Sequence, residues 1–131
     1  MRILVVEDEE AIRETIRLGL EHHVGFQVET AEGGDDLDVA RAAACDLVIM
    51  DMHLGAGRDG LDLIEEIAAV NPHVRFLVIS GRREVEIASR VVAAKRADRV
   101  VDTLMKPFEL EQLFIAVNRA LETAPESPPE P

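Results

Sequence analysis

The chain has 131 residues, of which 26 are acidic and 14 basic, for a formal net charge of −12. That length suits one domain able to bury a core without staples, and the charge repels nucleic-acid phosphates and anionic lipid, so direct binding of either is not expected. No apolar run nears the ~20 residues of a membrane span, the opening MRILVVEDEE is too briefly apolar for a signal peptide, and Cys45 stands alone. A cytoplasmic protein with no disulfide framework and no thiol-based metal site is therefore expected.

In chain order, ILVV at 3–6 reads as a first strand. The acids Glu7 to Glu10 lead into a helix whose Ile12, Ile16, Gly19 and Leu20 share one face, with Asp8 or Glu9 near its N-cap. FQVET at 26–30 alternates like a half-exposed edge strand. Leu37, Ala40 and Ala44 mark a second helix, with Asp35 or Asp36 as its start signal. Cys45, read as a small buried residue, precedes a third strand, DLVIM at 46–50. Leu61, Ile64, Ile67 and Ala68 mark a third helix, which Asn71-Pro72 stops. FLVI at 76–79, a fourth helix at 84–95, VVDTL at 100–104 and a fifth helix at 109–121 with Leu110, Leu113, Phe114 and Val117 inward complete the alternation. Near-continuous apolar strands separated by helices indicate an α/β fold with a parallel sheet covered on both faces. Residues 123–131, TAPESPPEP, hold four prolines and read as a flexible tail or a truncated linker.

Ligands of open α/β sheets bind outside the carboxyl ends of the strands. What stands there is Glu7 and Asp8 after the first strand, Asp51 after the third, Ser80 after the fourth and Lys106-Pro107 after the fifth. Carboxylates brought together repel unless a cation sits between them, and an oxygen-rich acidic site favours Mg²⁺. Beside that ion Asp51 is a candidate nucleophile toward a phosphoryl group, Ser80 a hydrogen-bond donor to its oxygens, and Lys106 a compact cation for the developing charge. Lys95 and Lys106 are the two lysines among the 14 basic residues, which favours a specific role for Lys106.

Each piece alone has a plainer reading. Glu7 to Glu10 suit the positive end of a helix dipole, Asp51 suits a cap or turn, Ser80-Gly81 suits a loop start, and Lys106-Pro107 suits a helix boundary. A zinc site built on His53 would need other histidines, and His22, His23 and His73 fall elsewhere. The weight lies in the order of all the pieces at strand ends.

Over residues 1–122 the runs VVEDEE, DLVIMDMHL followed by DGLDL, FLVISG and MKPFELEQL resemble the receiver domain of two-component response regulators. The resemblance implies a flavodoxin-like, doubly wound (βα)5 fold with strand order 2-1-3-4-5. It implies that a histidine kinase or a phosphotransfer protein donates a phosphoryl group to Asp51, that Asp8 and Asp51 bind Mg²⁺ directly with Glu7 acting through water, and that the backbone carbonyl of His53 completes the protein ligands. It makes Ser80 and Lys106 the phosphate-sensing pair. Signalling would then run through a conformational change on the face of the fourth helix, fifth strand and fifth helix, which is also a candidate homodimer surface.

Three departures from the family pattern stand out. The loop after Asp51, MHLGAGRDG, is slightly longer than usual, lacks the usual proline, and carries Gly55 and Gly57. The span from Ser80 to Lys106 is also longer than usual. Thr103 occupies the switch position where an aromatic residue is expected, and the chain has neither tyrosine nor tryptophan. Arg82 and His53 fall where the family tunes phosphate lifetime. The chain is expected to be a phosphoacceptor rather than a turnover enzyme. Its rivals are a regulatory fragment of a longer transcription factor or hybrid kinase, and a Mg²⁺-dependent phosphohydrolase passing through an aspartyl phosphate. The second commonly has another aspartate where this chain has His53.

Overall fold

The computed structural model describes residues 1–22, 25–33, 37–51, 60–80 and 100–122. The elements are β1 (Arg2–Val6), α1 (Glu10–Glu21), β2 (Gln27–Ala31), α2 (Val39–Ala42), β3 (Leu47–Asp51), α3 (Gly60–Val70), β4 (Arg75–Ser80), β5 (Val100–Met105) and α4 (Leu110–Glu122). All strand pairs are parallel and the sheet order is β2-β1-β3-β4-β5, the doubly wound order expected above. The fourth candidate helix at 84–95, the loop with His53, Gly55 and Gly57, Arg82, and residues 123–131 lie outside the described residues, so α4 corresponds to the fifth candidate helix.

Side-chain alternation along the strands divides the interior into two cores. Leu4, Val6, Val48, Met50, Phe76 and Val78 face α2 and α3, whereas Ile3, Val5, Leu47, Ile49, Leu77 and Ile79 face α1 and α4. Because β1, β3 and β4 are covered on both sides, their sequences read as unbroken apolar runs. β2 is the half-exposed edge that FQVET promised.

Helix α1 buries Ile16, Gly19 and Leu20 and begins after Glu9, which caps by position without a side-chain hydrogen bond. Gly19 admits α4, since a Cβ there would come within 3.0 Å of Leu110 Cδ2 and 3.7 Å of Phe114 Cε1. In α4 the inward residues are Leu113, Ala116, Val117 and Ala120, while Leu110 is 39% exposed, which corrects its expected inward placement. It opens the helix and lies across Gly19 rather than beneath the sheet.

The second helix also differs from expectation. It spans four residues and is capped by Asp38, whose carboxylate accepts the Arg41 N–H at 3.3 Å, in place of the expected Asp35 or Asp36. Leu37, Ala42 and Ala43 are buried, but Ala40 and Ala44 are exposed. In DVARAAAC a stripe of alanines has too little apolar contrast to define a face, and several nearby aspartates satisfy the same cap preference. No described helix is long and apolar enough to cross a membrane.

Candidate functional site

The strand register brings the acidic residues together. Val6 pairs with Met50, so Glu7 and Asp51 stand next to that pairing, and Asp51 in turn pairs with Ile79. The backbone of Ser80 pairs with Met105, directly before Lys106. Thr103 pairs with Val78 and is half-buried.

Asp51 is the last residue of β3 and is 1% exposed; Glu7 is 0% exposed. Asp8 is exposed. Full burial of Leu47, Val48, Ile49 and Met50, at up to about 1.5–3 kcal/mol each, outweighs the several kcal/mol needed to bury one paired carboxylate. The apolar run therefore holds Asp51 in place against its own desolvation.

Lys106 supplies the counter-charge. Its Nζ lies 3.1 Å from Glu7 Oε1, 3.4 Å from Asp51 Oδ2 and 3.7 Å from Glu9 Oε1. The Lys106–Pro107 peptide bond is cis. Burial works against the lysine's charge, but Asp51 and Glu7 more than compensate, so its pKa is raised on balance. Burial first, and then the charge of Asp51, push the Glu7 carboxyl from its ordinary 4.5 to about 7, against the lowering pull of the Glu9 N–H and Lys106. One ammonium does not neutralise the group.

Carboxylate oxygens of Glu7, Asp8 and Asp51 all lie within 4.8 Å of one another. Glu7 Oε1, although close to the ammonium, has no hydrogen-bond partner among the described residues. A buried carboxylate oxygen whose near cation is one shared ammonium at 3.1 Å, in a group of three carboxylates, suits a hard divalent cation with oxygen ligands. Zinc chemistry finds no such support, because the donors are all carboxylates among the described residues. His22 caps the far end of α1, and His73 lies in the turn before β4.

Two contributors were missed from the sequence. The Glu9 N–H donates to Glu7 Oε2 at 3.1 Å, and Arg13 Nη1 donates to the Glu7 carbonyl oxygen at 2.9 Å. The one local hint was Arg13 itself, a cation close to the N-terminus of α1, where the helix dipole disfavours it. Beside Lys106 an apolar groove of about 470 Å³ runs between Ile12, Thr15, Pro107 and Phe108.

A five-stranded parallel sheet in the order 2-1-3-4-5, with carboxylates and a lysine gathered at its carboxyl edge, defines a flavodoxin-like receiver architecture. The chain belongs to the response regulator receiver domain family, whose model matches residues 3–118. It is therefore a receiver domain of the two-component response regulator type. The nitrogen assimilation regulatory protein NtrX of Azorhizobium caulinodans is 35% identical over 123 residues, which cover 92% of this chain and 26% of that protein. The response regulator MprA of a Mycobacterium species is 33% identical over 132 residues, 99% of this chain and 55% of that protein. The solved receiver domain of NtrX from Brucella abortus superposes with a TM-score of 0.77 at 35% identity, covering 93% of this chain and 99% of that one. The chain thus spans between about a quarter and about half of these curated relatives.

Proposed function

We propose that Asp51 accepts a phosphoryl group from the phosphohistidine of a histidine kinase or phosphotransfer protein. The observation that carries this reading is the contact of Lys106 with both buried carboxylates, Glu7 and Asp51, at 3.1 and 3.4 Å. An Asp51 carboxylate oxygen attacks phosphorus, the new P–O bond forms as the P–N bond breaks, and the imidazole nitrogen keeps the bonding electrons. Asp8 and Asp51 would hold Mg²⁺ directly and Glu7 through water, with the backbone carbonyl of His53 joining them by family resemblance. When bound, the ion neutralises charge on the carboxylates and on the phosphoryl oxygens. Lys106 then has a new anionic partner, and Ser80 donates to another phosphoryl oxygen.

The added charge biases a two-state equilibrium through Ser80 and Thr103 toward the face of β5 and α4, which the family resemblance extends to the fourth candidate helix. Output is binding, to a downstream protein or to a second copy through that face, and not turnover of an external substrate. The groove beside Lys106 offers the phosphodonor an apolar surface at the rim of the site. The domain covers 1–122, with 123–131 as a linker or tail, and acts in the cytoplasm without touching membrane or nucleic acid itself. Longer relatives such as NtrX and MprA support the view of this chain as the regulatory part of a larger protein.

Incubation with acetyl phosphate and Mg²⁺ followed by intact mass is the test. One added phosphate, absent in Asp51→Asn and absent without Mg²⁺, is expected. Sustained hydrolysis of phosphate esters would instead favour the phosphohydrolase reading, and a phosphate gained by Asp51→Asn would displace Asp51 from its role.

A further inference from the structure

We propose that Arg13 is a positioning residue for the acidic pair, and that it acts through the Glu7 carbonyl to fix where the Asp8 carboxylate points. The inference rests on the metal-binding reading above. Glu7 is tied by its own N–H to the Ala31 carbonyl at 3.1 Å, and by its side chain to the Glu9 N–H and to Lys106. The contact with Arg13 Nη1, at 2.9 Å, falls on the peptide that joins Glu7 to Asp8. Because that peptide is planar, a bond that holds its oxygen also restrains the Asp8 N and Cα, the pivot from which the exposed Asp8 side chain leaves the backbone.

The Arg13 contact is sheltered as well as short. Its side chain is 12% exposed, whereas its carboxylate neighbour Glu32 is 70% exposed and 4.0 Å away. An exposed ion pair at that distance contributes little, so the charge-assisted bond to the carbonyl is the stronger tie. The location runs against local preference on two counts, since a guanidinium close to the start of α1 opposes the helix dipole and a cation beside a cation site opposes binding by charge alone. A positional role explains why it is there. Asp8 is the one exposed member of the acidic trio and lies after the end of β1, so it lacks the strand hydrogen bonds that hold Asp51.

The test is Mg²⁺ affinity measured by titration calorimetry, which needs no phosphorylation and no fluorophore in a chain without tryptophan or tyrosine. Arg13→Ala is expected to weaken Mg²⁺ binding about tenfold, the usual scale for losing a group that orients a metal ligand, with Arg13→Lys restoring most of the loss. Glu32→Gln is expected to stay within about twofold of the wild type, because its ion pair is exposed. Urea midpoints measured on the same samples separate affinity from stability. Should Arg13→Ala not fold, Arg13→Gln carries the same comparison. Unchanged or tighter Mg²⁺ binding on losing the guanidinium, or an equal loss in Glu32→Gln, overturns the positional role while leaving the metal-binding reading intact. No Mg²⁺ binding by the wild-type chain overturns both.

Discussion

Lys106 Nζ stands 3.4 Å from Asp51 Oδ2 although 55 residues separate them in the chain. The same ammonium reaches Glu7, which is more distant still in sequence. One cation is thus shared by two buried carboxylates that still feel each other's charge, and most of what the site does follows from how that arrangement is unbalanced.

Removing the cation leaves two buried carboxylates facing each other. Lys106→Ala is expected to destabilise the metal-free protein at pH 7.5 by about 2–3 kcal/mol, below the full cost of breaking a dry ion pair because the lysine side chain keeps 20% exposure. Urea unfolding followed by far-UV circular dichroism reads this directly. Mg²⁺ should return part of the loss, and an unchanged midpoint would show that the ammonium is not the counter-charge.

Removing one anion should have the reverse effect. Asp51→Asn relieves the repulsion with Glu7 and leaves Lys106 with a single buried partner, so its metal-free form is expected to be more stable than the wild type by about 1–2 kcal/mol. It is also expected to gain no phosphate. A lower melting temperature in the absence of Mg²⁺ would contradict the charge imbalance.

Glu7 gives the imbalance a pH signature. Its folded-state pKa of about 7 lies above its ordinary 4.5, so the folded state binds the proton more tightly. This contribution to stability is fully present below pH 4.5 and is lost as pH rises through about 7. With a chelator present, Glu7→Gln should flatten the fall in the urea midpoint between those values. An identical slope in wild type and variant would remove Glu7 as its source.

Gly19 tests the contact between α1 and α4. In Gly19→Ala the new methyl meets the end of the Leu110 side chain at 3.0 Å, and Leu110, being 39% exposed, has room to turn away. The helix-propensity gain of about 1 kcal/mol then prevails in part, for a net stabilisation of about 0.5 kcal/mol. Gly19→Leu overfills the contact and is expected to cost about 2 kcal/mol. A large loss on Gly19→Ala, seen in the same urea assay, would mean that Leu110 is fixed.

Much of the fold was legible because burial leaves a local trace. The runs ILVV, DLVIM and FLVI carry the double-sided burial of β1, β3 and β4, and FQVET carries the exposure of the edge strand β2. Where apolar contrast fades the trace fades with it, as in the alanines around α2. Leu110 was misplaced because its periodicity matches the inward face, while its position in the first turn of α4 sets it across Gly19 instead. Glu9 and Arg13 were missed because they act through backbone groups of Glu7 and themselves, and such contacts leave no pattern of side-chain types.

The sequence by itself determined which residues end the strands, Glu7 and Asp8, Asp51, Ser80 and Lys106, since a parallel sheet carries every strand's carboxyl end to one edge. Tertiary structure alone decided how those ends meet: that Glu7 is buried and Asp8 exposed, that Lys106 bridges Glu7 as well as Asp51, and that Arg13 holds the peptide between the two acids. Strand ends are written in short apolar runs. Distances between them depend on the register of β1, β3, β4 and β5, which is settled only when both cores close on the sheet.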